Sequence, residues 1–168
     1  HLSALNYLNA IENSAAAAMI SLLADLQLYN VMQSREINFR PGDLSSVFRD
    51  SRPLRYFRRL FQKGDEHVVE RIAVENPILL LTTHRMTAYC DPIFNALGKR
   101  AILIEMVRHP LYMLIQATRN FSGAIGTPRQ FTICYDHQDK NVPYFVYGWE
   151  DRYLDSSPID RAIYGFQH

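Results

Sequence analysis

The sequence has few cysteines, almost no net charge and no long uninterrupted hydrophobic run. Its 168 residues include two cysteines, Cys90 and Cys134, which lie far apart and outside any C-x-x-C pattern. Neither a disulfide framework nor a zinc site is indicated, and a reducing compartment is favoured. Eighteen Lys and Arg against 17 Asp and Glu give a formal net charge of +1. So small a charge excludes a general attraction to nucleic acid, so any anion site must be local.

The chain also lacks a convincing membrane segment and the glycine motifs of nucleotide-binding loops. Its most hydrophobic stretch, residues 15–28, is rich in alanine and contains Ser21, Asp25 and Gln27, so we interpret it as a soluble helix. No G-x-x-x-x-G-K-[ST], G-x-G-x-x-G or G-x-S-x-G pattern occurs. The chain begins at His1 without a signal peptide, so we expect a piece of a longer polypeptide.

What is present indicates one globular domain over residues 1–168, with 48% hydrophobic and 21% charged residues. Met19, Leu22, Leu23 and Leu26 recur at helical spacing and predict a helix. Further helices are predicted at residues 2–11, 53–63, 91–97, 111–118 and 149–154. In the helix after Pro53 the apolar side chains Leu54, Phe57, Leu60 and Phe61 share one side, and the basic residues Arg52, Arg55, Arg59 and Lys63 lie elsewhere. The basic residues form either a solvated face or a contact for an acidic partner.

Two short apolar runs interrupt the helical pattern. Residues 78–81 (Ile-Leu-Leu-Leu) and residues 101–107 (Ala-Ile-Leu-Ile-Glu-Met-Val) have the composition of strands buried on both faces of a parallel sheet. With the helix between them they predict a βαβ unit. We therefore expect an α/β fold in which helices flank a parallel sheet.

Polar residues follow both predicted strands at the edge where parallel sheets bind ligands. The first run leads into Thr82-Thr83-His84, and the second leads into Arg108-His109-Pro110. A histidine titrates near neutrality and can act as a general base, while a guanidinium binds phosphate or sulfate oxygens as a planar fork. The pair predicts proton removal beside an anion-binding group. His84, Cys90 and Asp91 have no recognised ligand spacing, so no metal site is predicted.

These two motifs resemble the middle of sulfotransferases that use 3'-phosphoadenosine 5'-phosphosulfate (PAPS), in which one strand ends in Lys-Thr-His and the next in Arg-x-Pro. The resemblance covers residues 77–116, and residues 144–164 are similar more loosely. It implies an incomplete sulfotransferase fold of the P-loop NTPase type. It also implies that His84 takes the proton of the acceptor hydroxyl, that Arg108 binds the 3'-phosphate of PAPS, and that Gln116 stands where a serine usually contacts the same phosphate.

Besides Gln116, the chain departs from this family in two further respects. Thr82 occupies the position of the lysine in Lys-Thr-His, and no phosphate-binding loop precedes Leu2. These departures leave open an alternative, a non-catalytic α/β module that binds an anionic ligand, a glycan or a protein partner. A nucleotide kinase is a third interpretation, which the Thr-His and Arg-His-Pro motifs disfavour.

For the enzyme we expect PAPS as the sulfuryl donor without a metal, and a hydroxyl-bearing small molecule or glycan as the acceptor. No nucleic-acid partner is expected, and the oligomeric state is open. The expected location is the cytoplasm, or the Golgi lumen if a membrane anchor precedes this sequence.

Overall fold

A computed structural model describes residues 1–82, 89–121 and 132–166 of the chain. Within these ranges the chain forms eight α-helices and a two-stranded antiparallel sheet. The helices are α1 (Leu2–Tyr7), α2 (Asn13–Met32), α3 (Leu54–Leu60), α4 (Glu66–Glu75), α5 (Asp91–Leu97), α6 (Pro110–Phe121), α7 (Glu150–Asp155) and α8 (Pro158–Tyr164). The strands are β1 (Cys134–His137) and β2 (Lys140–Pro143), and short 3-10 turns occur at Val47–Arg49, Gly98–Arg100 and Tyr144–Val146.

The chain divides into two compact units. The first unit combines His1–Ala17 with Arg85–His168, and the second unit is Ala18–His84. The single domain expected over residues 1–168 stays a prediction.

The first unit has an aromatic core around the β1–β2 hairpin. Its buried members are Ala4, Val142, Tyr144, Phe145, Val146, Trp149 and Tyr153. The hairpin turns at Gln138 and Asp139, whose φ angles of 51° and 59° are those of the type I′ turn that suits the twist of paired strands. In the same unit α6 packs against α8. Ala117 on α6 and Ala162 on α8 are both buried.

The second unit buries Met32, Val47 and Val68, with α4 contributing Val68. Helix α4 is capped after Glu75 by Asn76, which adopts the left-handed conformation at φ 43° and donates its N–H to the carbonyl of Ile72. Asparagine tolerates this conformation better than most residues other than glycine.

Local signals in the sequence agree with several helix ends. Helix α5 has the predicted bounds, with Pro92 in its first turn and Gly98 as its C-cap at φ 50°. Helix α6 begins at Pro110, which suits the first helical position because its ring presets φ and no N–H is needed there. Both helix predictions are confirmed.

The predicted fold class is wrong. No strand is assigned to residues 78–81 or 101–107, and the sheet formed by the described residues is the antiparallel β1–β2 hairpin. Most of the large apolar side chains in both runs are exposed, including Ile78 at 91% and Ile102 at 87%. Apolar composition favours burial but does not supply the neighbouring backbone that a strand must hydrogen-bond. The structure is therefore helix-rich, and no parallel sheet joins the two runs.

Candidate functional site

The proposed general base, His84, lies outside the described residues. Thr82, which stands in the position of the family's lysine, is described and exposed to solvent. The role of His84 stays a prediction.

The other predicted site residues lie at the beginning of α6. Before the helix starts at Pro110, the ring of His109 turns back onto the first turn, where its Nδ1 accepts the N–H of Leu111 at 3.3 Å. One of the helix's initial N–H groups, which lack carbonyl partners within the helix, is thereby satisfied. Arg108 is therefore the residue before His109, whose side chain caps the start of α6.

Arg108 and Gln116 contact each other directly. The Nη1 of Arg108 donates a hydrogen bond to the Oε1 of Gln116 at 3.0 Å, and both side chains are exposed. The structure thus brings together the two residues that the resemblance assigned to one phosphate.

This contact leaves most of the donors of both side chains available. A guanidinium carries five N–H donors and a carboxamide carries two, whereas the hydrogen bond uses one guanidinium N–H and the amide oxygen. Among the described residues no further partner holds these donors. The arrangement can bind a phosphate or sulfate group through several charge-assisted hydrogen bonds that converge from two side chains.

Tyr112 lies on α6 between these two residues. Tyr112 and Gln116 are four positions apart within α6, so they lie on one side of the helix, and Arg108 reaches Gln116 from the segment before the helix. Tyr112 as a whole is 71% exposed, and its ring meets the ring of His109 edge to face, with centroids 6.0 Å apart and planes at 74°. Sequence reasoning missed Tyr112, although its spacing from Arg108 and Gln116 was readable.

A second polar cluster joins the hairpin to α7. The Tyr135 hydroxyl donates to Glu150 at 2.7 Å, and His137 Nε2 and Gln138 Nε2 each reach Asp151 Oδ1 at 3.0 Å. Burial, and then the hydrogen bond to Glu150, raise the pKa of Tyr135 far above its usual range. Burial acts to raise the pKa of Glu150. Hydrogen bonds from its own backbone N–H and from the Tyr135 hydroxyl stabilise the carboxylate more strongly, so the pKa of Glu150 is lowered overall. The tyrosine therefore stays protonated and the carboxylate ionised, which suits a structural link.

The basic helix α3 does not form the simple solvated face that its sequence suggests. Arg59 is buried, and its Nη2 lies 3.1 Å from the carboxylate of Glu75 on α4, which Arg55 also approaches at 3.7 Å. Leu54 and Phe61, which belong to the apolar side of the predicted helix, are 73% and 89% exposed. Part of the basic charge thus neutralises Glu75 within the second unit.

A cleft of about 310 Å³ in the second unit is lined by polar and apolar groups in similar measure, and several of its polar side chains hydrogen-bond to neighbouring residues. The Tyr56 hydroxyl donates to Asp50 at 3.3 Å, and Asn38 donates to Asp43 and Ser45 at 2.9 and 3.0 Å. These contacts hold the loop that forms the cleft.

Helix α2 is long and apolar enough to cross a membrane by length and composition, but such a helix near the N-terminus is weak evidence of a span. Met19, Leu22, Leu23 and Leu26, which predicted the helix, are between 46% and 68% exposed. The described residues contain no group of three or more His, Cys, Asp or Glu that could hold a metal ion.

Comparison with protein-family models, curated proteins and solved structures gave no match. The sulfotransferase interpretation therefore depends on the residues of the two motifs and on the contact between Arg108 and Gln116.

Proposed function

We propose that this chain is a sulfotransferase-like protein that binds PAPS and transfers its sulfuryl group to the hydroxyl of a small molecule or glycan. The hydrogen bond between Arg108 and Gln116 carries the proposal, because two residues eight positions apart converge where one phosphate is expected. The exposed donors of both side chains fit a phosphate ester.

In this proposal Arg108 and Gln116 bind the 3'-phosphate of PAPS. Gln116 differs from the usual serine because its carboxamide both accepts from the guanidinium and keeps its N–H donors for the ligand. The hydrogen bond that Gln116 accepts holds Arg108 in one orientation, so the guanidinium loses less conformational entropy when it binds the ligand.

His84 would remove the proton of the acceptor hydroxyl and so make its oxygen a better nucleophile. Bound PAPS supplies an electrophilic sulfuryl group, whose transfer forms the new oxygen–sulfur bond and releases adenosine 3',5'-bisphosphate. Thr82 brings no positive charge to this step, in contrast to the lysine of related motifs.

Calorimetric titration with adenosine 3',5'-bisphosphate tests the phosphate site. A hydrogen bond to a charged group contributes about 1.5–3 kcal/mol, so Arg108→Ala should weaken binding by about ten-fold to a hundred-fold. Arg58→Ala is the matched control, because Arg58 is an exposed arginine of the second unit. If Arg108→Ala changes the affinity no more than Arg58→Ala does, the phosphate site is refuted.

Transfer is tested separately with ³⁵S-labelled PAPS and a panel containing a phenol, an aliphatic alcohol and a glycan. His84→Ala should abolish transfer and leave the affinity for adenosine 3',5'-bisphosphate unchanged. Unchanged turnover would contradict the role of His84.

The exposed Thr82 in the position of a lysine favours the second candidate function, a module that binds an anionic ligand without catalysis. Tight binding of adenosine 3',5'-bisphosphate with no transfer to any acceptor would support this candidate over the enzyme.

A further inference from the structure

Helix α3 turns an arginine inward and presents apolar side chains to solvent. Arg59 is buried in the second unit, where its Nη2 lies 3.1 Å from the carboxylate of Glu75. Because a buried guanidinium must be paired, this contact sets the rotation of the helix about its own axis. Leu54 and Phe61 consequently lie on the solvent side of the helix, where they are 73% and 89% exposed.

Leu54, Arg58 and Phe61 form one continuous surface, the outward face of α3. Leu54 and Arg58 are four positions apart within the helix and so share a side. Phe61 caps the helix and donates its N–H to the carbonyl of Arg58, in a tight turn that aligns residues three positions apart. The outward face therefore carries two large apolar side chains with an exposed cation between them.

The segment that contains this face is strongly cationic. Residues 49–63 hold six of the 18 Lys and Arg of the chain but a single acidic residue, Asp50. Two of the six, Arg55 and Arg59, approach the carboxylate of Glu75. The other four are exposed and form no ion pair within the part of the chain that the structure describes: Arg49, Arg52, Arg58 and Lys63. The surface thus keeps a net positive charge.

Exposed cations beside exposed apolar side chains are complementary to an anionic lipid bilayer, in which charged headgroups overlie hydrocarbon. The position of Arg58 favours a bilayer over the apolar groove of a protein. Such a groove would have to bury the charge of Arg58 between Leu54 and Phe61, which is costly. At a bilayer the long arginine side chain can instead reach the headgroup phosphates while its apolar neighbours enter the lipid.

We infer that the outward face of α3 binds the surface of anionic phospholipid bilayers. Leu54 and Phe61 insert at the boundary between headgroups and acyl chains, and Arg58 binds headgroup phosphates. Arg52 and Lys63, at the two ends of the helix, add contacts with the same headgroups. The binding is peripheral and reversible, because one short helix inserts little apolar surface.

Co-sedimentation of the full chain with lipid vesicles tests the inference. The chain should bind vesicles of mixed phosphatidylcholine and phosphatidylserine about ten-fold or more tightly than vesicles of phosphatidylcholine alone, because several cations contribute. Added salt should weaken the binding, since the attraction is electrostatic in part. Equal binding to both kinds of vesicle, or binding to neither, would refute the inference.

Arg58→Gln measures the contribution of one cation. It should weaken binding to the anionic vesicles about five-fold, which is the contribution expected of one basic residue near an anionic surface. Lys140→Gln is the matched control, because it removes the same charge from an exposed position on β2 in the first unit. The control should change the affinity less than about two-fold. Equal losses in the two variants would show that total charge governs binding and that this face does not.

Phe61→Ala measures the apolar contribution and should weaken binding to the anionic vesicles about ten-fold, because the ring leaves water in the complex. Val74→Ala is the control, since Val74 is 81% exposed on α4 but lies four positions from Glu70, whose carboxylate anionic headgroups repel. Both variants should keep the far-UV circular dichroism of the unaltered chain, because both side chains lie in solvent. If Phe61→Ala keeps full affinity, insertion is refuted.

Heparin separates a bilayer from a soluble anionic polymer, because it carries sulfate and carboxylate groups without hydrocarbon. If the chain binds heparin but no anionic vesicle, the bilayer inference is wrong and the face binds an anionic polymer. The phosphate site is tested independently, because α3 belongs to the second unit and Arg108 to the first. The α3 variants should therefore leave the affinity for adenosine 3',5'-bisphosphate unchanged, and failure of either proposal leaves the other standing.

Discussion

The hydrogen bond between Tyr135 and Glu150 should be a principal link between the hairpin and α7. Tyr135 lies on β1 and donates to Glu150 at the start of α7 over 2.7 Å. Tyr135→Phe removes the hydroxyl alone and keeps the ring, which packs against the aromatic core of the first unit. The substitution thus isolates one hydrogen bond.

The size of the effect follows from the environment of both partners. A hydrogen bond to a charged group contributes about 1.5–3 kcal/mol, and a donor removed from a buried acceptor leaves that acceptor unsatisfied. Tyr135 is partly buried and Glu150 is also partly accessible, so water can replace the lost donor in part. We therefore expect Tyr135→Phe to lower the free energy of unfolding by about 1–2 kcal/mol.

The chain carries its own reporter for this measurement. Trp149 is the single tryptophan, is 9% exposed and belongs to the same aromatic core. Urea unfolding followed by Trp149 fluorescence should show a lower midpoint for Tyr135→Phe with an unchanged m-value. Tyr112→Phe, which removes a hydroxyl from an exposed ring, should stay within about 0.5 kcal/mol of the unaltered chain.

A double-mutant cycle with Glu150→Ala, which removes the acceptor, decides whether the two side chains act through each other. The coupling free energy should be about 1 kcal/mol, because each single substitution removes the same hydrogen bond. A coupling near zero, or a Tyr135→Phe variant as stable as the Tyr112→Phe control, would refute this account of the link.

Two further predictions concern charged groups. Because the pKa of Glu150 is lower in the folded chain than in the unfolded chain, its ionised form stabilises the fold above the unfolded pKa, and this contribution is lost as the pH falls through the folded pKa. The stability difference between the unaltered chain and Glu150→Gln should thus be largest near neutrality and vanish in acid; a constant difference in urea titrations at several pH values would contradict this. Glu75→Ala removes the carboxylate beside Arg59, whose side chain is 5% exposed, and because Glu75 is 37% exposed we expect a cost of about 1–3 kcal/mol rather than the full value for a buried pair. Hydrogen exchange should quicken in α3 and α4, whereas the control Glu70→Ala, at a side chain that is 73% exposed, should leave it nearly unchanged; equal effects would refute the special role of Glu75.

Helix positions could be predicted because their signals are local. Pro92 and Gly98 mark the two ends of α5, and Pro110 marks the start of α6. The predicted helix at residues 149–154 corresponds to α7, with its bounds shifted by one residue. Each of these signals acts within one or two turns of the chain, so a single sequence is enough to read it.

The sheet could not be predicted because strand pairing is not local. Residues 78–81 and 101–107 have the composition of buried strands, yet neither is a strand in the structure. The hairpin that does form turns at Gln138 and Asp139, which lack the Asn-Gly signature of a type I′ turn.

The spacing of apolar residues could not predict the burial of a charged side chain either. Arg59 is buried in α3 because Glu75 lies beside it, and Glu75 comes from another helix. Helical periodicity identifies an apolar side, but it carries no information about a carboxylate sixteen residues away.

For the candidate site, the sequence pointed to Arg108 and Gln116 together, and packing explains why these two side chains meet. The resemblance assigned Arg108 and Gln116 to one phosphate, and they contact each other even though the expected sheet is absent from the described residues. Helix packing accounts for this geometry: Ala117 is buried on α6, which packs against α8, and successive helical residues are rotated by about 100°. Burying Ala117 therefore turns the neighbouring Gln116 toward solvent, where Arg108, two residues before the helix, hydrogen-bonds to it. The contact between Arg108 and Gln116 thus depends on the packing of two helices, whereas the expected position of His84 depended on the sheet that this structure contradicts.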